Sequence, residues 1–188
     1  MPSGYWRLVQ YMGENPWPWT LGTVKIGNWE FVAGTKLSAS AFPKLYVPIT
    51  SSGTTLDFSE AGHAGVPIVS SRALQVFDQF LNVSAVPIEV TSLQTESTEE
   101  FFVLVIEETR YALDTERSRF ERFLEGDSIR PDLAGQIKSA YELRIDALLA
   151  NGSRVFRLAD GLGYLFVHDE VKRHIENLDL TGFHFIEA

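Results

Sequence analysis

The chain has 188 residues, 45% of them hydrophobic and none of them cysteine, and carries a formal net charge of −9. This length and composition fit one folded domain with a sizeable core, and the missing cysteines exclude disulfides, thiolate metal sites and a cysteine nucleophile. The negative charge disfavours non-specific binding to nucleic acid, which needs Lys and Arg to replace counterions, and it disfavours anionic membranes as well; a basic protein would be steered toward it.

The opening "MPSGYWRLVQY" lacks the basic-then-apolar pattern of a signal peptide. The longest apolar run, "FFVLVI", is too short to cross a bilayer. A cytoplasmic location is therefore the expectation. Tyr5 to Tyr11 mixes aromatic and β-branched residues and reads as a first strand. Residues 12–65 hold most of the prolines and glycines, which predicts short strands such as "WEFVA" between long loops. Trp17 and Trp19 lie in the proline-bounded "NPWPW", where they either anchor a partner or plug an open end of the core; the plug is the preferred reading.

From residue 66 the texture changes. "VPIV" predicts a strand, and "SSRALQVFDQFL" a helix capped by Ser70 or Ser71, with Leu74, Phe77 and Leu81 along its buried face. Val86 to Val90 predicts another strand, and "SLQTESTEE" a polar connection. "FFVLVIEE" is apolar on both faces, the mark of a central strand. "RYALDTERSRFERF" reads as a turn or second strand followed by a charged segment, and "EGDSIRPD" as a loop. Residues 137–145, "IKSAYELRI", fit a helix or a strand. A strand puts Ile137, Ser139, Tyr141, Leu143 and Ile145 on one side and gathers the charges on the other, and is preferred.

"RVFRL" and "GYLFV" flank "ADGLG" as a hairpin. A helix then begins at His168 or Asp169, with Val171, Ile175 and Leu178 as its apolar stripe, and Thr181-Gly182 ends it. The last strand, "FHFIEA", carries two phenylalanines and is expected to be tied into the main sheet. The elements together predict a single α+β domain over residues 1–188, a mixed and mostly antiparallel sheet with a few packed helices, whose first 65 residues are its loop-rich part.

Catalytic chemistry finds little support. His63, His168, His174 and His184 show none of the three- or four-residue spacings of a helical metal pair. "VSSR" lacks the glycines of a nucleophile elbow, and "ADGLG" lacks the Lys-Ser or Lys-Thr of a phosphate loop. The paired acids and bases of "ETRYALDTER" fit a solvated face. His63, in the glycine loop "AGHAG", is the best lone candidate for a ligand site, though no base or nucleophile lies near it in sequence. No catalytic residue, metal or cofactor is assigned.

Three stretches carry a resemblance. "VPIVSSRALQVFDQF" contains a "PLVS-x-R"-like element in Pro67, Ile68, Val69, Ser70 and Arg72. "FFVLVIEETRYALDTERSRF" contains a "Y-x-x-(L/I)-D-x-x-x-S" element in Tyr111, Leu113, Asp114 and Ser118. "RVFRLADGLGYLFVHDEVKRHIENLDLTGFHFIEA" ends in an "IFRL", hairpin, helix and "LTGxxF" order, here Val155 to Leu158 and then Leu180, Thr181, Gly182 and Phe185. Over residues 66–188 this resembles the eleventh family of bacterial immunity proteins in the polymorphic-toxin classification, formerly a domain of unknown function. The resemblance implies a non-catalytic protein that binds and neutralises a co-encoded toxin, with Ser70 as a cap, Arg72 in a buried ion pair and Gly182 in a turn. It transfers no catalytic constellation and no toxin contact.

The expected contacts with a toxin, which the net charge makes attractive for a basic one, are acids beside strands: Glu96, Glu99 and Glu100 before the central strand and Glu107 and Glu108 after it, with Asp57 and Glu60 as second choices. Two other classes stand beside this reading. One is a small-ligand enzyme or binding protein with its site near His63, which a polar pocket with converging ionisable groups would support. The other is a self-associating scaffold, which a large apolar patch would support.

Overall fold

The computed structural model describes residues 4–13, 17–24, 44–63, 65–91 and 99–188. The proposed "WEFVA" strand and most of the "SLQTESTEE" connection lie outside these residues.

Two β-structures share one buried layer. The first is a closed barrel of β2 (Thr20–Leu21), β3 (Leu45–Ser51), β6 (Val83–Thr91), β7 (Phe101–Ile106), β5 (Val66–Ser70) and β4 (Phe58–Ala61), in that order around the ring. The second is a five-stranded sheet in the order β13 (Phe183–Glu187), β1 (Tyr5–Gln10), β12 (Gly161–His168), β11 (Val155–Leu158) and β8 (Thr109–Arg110). A small hairpin of β9 (Arg119–Arg122) and β10 (Ile137–Glu142) stands apart from both. The helices are α1 (Ser71–Phe77), the short α2 (Ala147–Ala150) and α3 (Asp169–Asn177). The class is α+β with mostly antiparallel pairing; β3–β6, β2–β4 and β8–β11 are parallel.

The central strand explains its own sequence. β7 pairs with both β5 and β6. Its Phe101, Val103 and Val105 point into the barrel with Trp19, Val47, Ile68 and Val86. Its Leu104 and Ile106 point outward, into a second core with Leu8, Phe58, Val155, Val167 and the helix residues Val76, Phe77, Val171 and Ile175. A strand that separates two cores must be apolar on both faces. A third core lies on the far side of the five-stranded sheet, where Tyr5, Phe156, Leu158 and Phe166 meet Ile137, Leu143 and Ile145.

Helix ends follow their capping chemistry. Ser70 Oγ accepts from the Ala73 amide at the start of α1, and His168 Nδ1 accepts from the Glu170 amide at the start of α3. α1 is shorter than its periodicity predicts and ends at Asp78, so Leu81 is fully exposed rather than packed. Leu178, beyond the last turn of α3, is half exposed. β10 is a strand, as preferred, but irregular pairing on either side of Ser139 and Ala140 breaks its alternation. Tyr141 consequently faces solvent while Ala140 packs inward. Of the two tryptophans, Trp19 is buried in the barrel and donates Nε1–H to Ser59 at 2.8 Å, whereas Trp17 is 64% exposed; the plug is Trp19 alone.

The last strand pairs with β1 from Trp6↔Glu187 to Gln10↔Phe183. Phe183 stacks on Phe58 at 4.9 Å between ring centroids, which joins this sheet to the barrel wall.

Candidate functional site

The proposed acids fall in three places rather than one. Glu96 lies outside the described residues. Glu99 and Glu100 precede β7, and Glu107 and Glu108 follow it, so the length of the strand, about 20 Å, separates the two pairs.

At the first end, Asp57 and Glu99 share a shallow pocket with Arg72 and Thr181. Asp57 is buried, and its carboxylate accepts from Ser70 Oγ (2.7 Å), Arg72 Nε and Nη2 (3.2 and 2.8 Å), the Thr181 amide (2.8 Å) and the Thr181 hydroxyl (2.9 Å). Burial alone would raise its pKa; the bonds from Thr181, Arg72 and Ser70 outweigh burial and hold it below the usual carboxylate range. Three of the resemblance's motif residues therefore converge on one carboxylate. The neighbouring Gly182 has a φ of +89°, and a Cβ there would stand 2.2 Å from the Phe58 carbonyl oxygen, so only glycine fits. Glu99 shows the opposite behaviour. Partial burial, then the Asp57 charge, raise its pKa, with Arg72 opposing. Glu99 and Glu100 are both exposed at the surface.

At the other end the acids are tied down. Glu107 accepts from Ser84 Oγ. Glu108 accepts from Asn82 Nδ2, Ser153 Oγ and Arg110 Nε, the last at 2.6 Å. The third place is Glu60, whose carboxylate accepts from the Gln10 amide (3.1 Å) while Gln10 Oε1 accepts from the Glu60 amide (2.9 Å), a reciprocal clasp between the barrel and the sheet.

Glu60 also lines a cavity of about 730 Å³ together with Arg7, His63, Lys138 and Tyr164, with Leu133, Ile137 and Leu162 among its apolar walls. The glycine loop around His63 thus opens on a concave site. Reasoning from sequence missed Arg157, which is fully buried in β11. Its Nη1 donates to the Leu162 carbonyl at 2.6 Å, while Nε and Nη2 have no acceptor among the described residues. Burial pushes its pKa down to about 10, opposed by the charge of Glu60, so it remains a cation at neutral pH. The signal was one charged residue inside the otherwise apolar "VFRL" strand.

Among the described residues no three His, Asp or Glu side chains converge as metal ligands, and no helix is long and apolar enough to cross a membrane. The second motif is structural as well: Asp114 Oδ1 accepts from the Glu116 and Arg117 amides, and Ser118 Oγ accepts from the Arg144 amide at 2.8 Å.

No curated protein matches the chain. The model of a family described as "Immunity protein family (Imm11)" matches residues 32–188, which takes in β3 through β13 and with them the Asp57 cluster and the cavity lining apart from Arg7, and leaves out β1 and β2. On that match, over most of its length, the chain belongs to the Imm11 immunity protein family.

Proposed function

We propose that this protein binds a co-encoded bacterial toxin and neutralises it by occupying its surface, without catalysis, in the cytoplasm of the cell that makes both. Family membership over residues 32–188 carries the reading. Immunity in this form needs a stable scaffold and one specific face, not a reactive centre.

The face we assign is the end of the barrel that holds Glu99 and Glu100, beside the Asp57–Arg72 pair. What supports it is electrostatic. The chain is acidic overall, Glu100 is exposed, and Glu99 sits where burial and the Asp57 charge disfavour its ionised form. A Lys or Arg from a basic toxin would relieve that site. Glu107 and Glu108 lie at the opposite end of β7, away from the Asp57–Arg72 pair, and are second to it.

Co-expression of the protein with the product of the adjacent gene should yield a co-purifying complex and restore growth. Failure of any neighbour-encoded protein to co-purify would remove the immunity reading. The face is tested separately. Association should slow about tenfold between low and high salt, because exposed charges are screened beyond a Debye length of ~8 Å at physiological salt. It should also slow as pH falls through the raised Glu99 pKa. A Glu99→Lys, Glu100→Lys variant that protects as well as the parent, with a salt-independent rate, would move the contact elsewhere.

A further inference from the structure

The cavity beside His63 has a sign opposite to that of the whole chain. Arg7 lies in its wall and forms no ion pair among the described residues; its guanidinium lies over the Tyr164 ring, 4.8 Å from the centroid. Lys138 reaches Asp127 only at 3.5 Å, long for a charge-assisted bond. Behind the wall, Arg157 holds the Leu162 carbonyl and keeps two nitrogens, Nε and Nη2, without an acceptor among the described residues. The carboxylate that lines the cavity is Glu60, and it is engaged by the Gln10 amide. Two lining cations face one lining carboxylate, and Arg157 stands behind the wall, a local positive excess in a chain of net charge −9. A buried arginine short of acceptors is costly to the fold, and such costs collect at sites that serve a ligand.

The dimensions suit a small molecule. A volume of about 730 Å³ is within the range of ligand pockets, which combine apolar walls with a few placed polar groups. Arginine's planar fork matches a carboxylate or a phosphate. Tyr164, Leu133 and Leu162 offer apolar surface beside it. Gly163 leaves the rim open, since a Cβ built there meets nothing within 4 Å.

We propose that this cavity binds a small organic anion, its carboxylate or phosphate held by Arg7 and Lys138 and its apolar part lying against Tyr164 and Leu162. The site is separate from the acidic face assigned to the toxin, and the proposal holds whatever the protein partner is.

The test is an NMR titration of the full chain at low salt with benzoate, with phenyl phosphate and with neutral benzyl alcohol. Saturable shifts confined to Gly163, Tyr164, His63 and their neighbours are expected with at least one anion and not with the alcohol. Benzoate alone would assign a carboxylate, and phenyl phosphate alone a phosphate. Arg7→Met should weaken binding about tenfold, as loss of a charge-assisted fork does. Glu60→Gln should tighten it roughly two- to fivefold by removing a like charge, an effect that general loosening of the fold could not produce. The proposal is overturned if neither anion shifts these residues at about 10 mM, if benzyl alcohol binds as well, or if Arg7→Met and Glu60→Gln leave the affinity unchanged. Binding of an Asp/Glu-rich peptide with no response to either small anion would also overturn it, and would make the cavity a protein contact.

Discussion

Asp57 and Arg157 are both buried charges, and the fold treats them in opposite ways. Asp57 has five donor bonds from Ser70, Arg72 and Thr181, residues brought from two distant parts of the chain. Arg157 has one acceptor, the Leu162 carbonyl. The first is a rivet: it ties β4, α1 and the turn before β13 into one unit. The second is a charge buried behind the cavity wall with Nε and Nη2 lacking an acceptor among the described residues. The contrast teaches that burial alone does not assign a role to an ionisable group; the completeness of its hydrogen bonding does.

The contrast can be broken in several ways, and the largest effect is expected beside the rivet. Gly182→Val combines a left-handed φ with a Cβ 2.2 Å from the Phe58 carbonyl. It should cost about 3 kcal/mol or more, or abolish soluble expression, as read from urea midpoints. Asp57→Ala follows, at about 2–4 kcal/mol, because it leaves the buried Ser70 hydroxyl and the Thr181 amide without an acceptor. Arg157→Met should fall within about 1 kcal/mol of the parent, since an apolar side chain of similar volume suits that core. Equal losses from Asp57→Ala and Arg157→Met would erase the distinction drawn here.

Acid sharpens it further. The folded-state pKa of Asp57 is depressed, so its contribution is present above the unfolded carboxylate value and is lost as pH falls through the lower folded value. Glu99 is raised, so its ionised form opposes folding, and acidification through its folded pKa relieves that cost. Glu99→Gln should therefore raise stability at neutral pH, and Asp57→Asn should remove part of the acid limb of the stability curve. The smallest effect belongs to His168. Burial first, then Arg154, lower its pKa, and its Nδ1 must be unprotonated to cap α3. Stability held above the unfolded histidine value should decline below it, by at most ~1 kcal/mol between about pH 7 and pH 5. His168→Asn, a cap that does not titrate, should flatten that decline in thermal melts.

What was legible in the sequence was local or two-faced. "FFVLVI" announced a central strand because it serves two cores at once, and "FHF" announced a docked strand because aromatic alternation is a local signal; the helix expected to run to Thr181-Gly182 stops instead at Asn177, with Asp179 in the left-handed conformation. The barrel was not legible. Its closure depends on the two-residue β2 and on the parallel pairs β2–β4 and β3–β6, none of which has a turn to mark it. Leu81 lies a full turn past the end of α1 and Leu178 is the half-exposed C-cap of α3, since periodicity does not show where tertiary packing ends. The candidate acids were chosen for being beside strands. Sequence could not show that Asp57 would meet Thr181, 124 residues away, or that Glu108 would be taken up by Asn82 and Ser153. The cavity was foreshadowed only by the glycines around His63; its lining cations, Arg7 and Lys138, come from β1 and β10, which the chain order keeps far apart.

The pairing of β1 has a consequence in time. Tyr5 lies opposite His168 and Trp6 opposite Glu187, so β1 waits for β12 and β13 before it can pair. At ~5–20 residues per second, that wait is roughly 10–40 s per chain. Throughout it, Leu8 and its neighbours have no sheet to join, and the shared core between barrel and sheet stays open. A chain folded in this order closes its shared core only once β13 has been made.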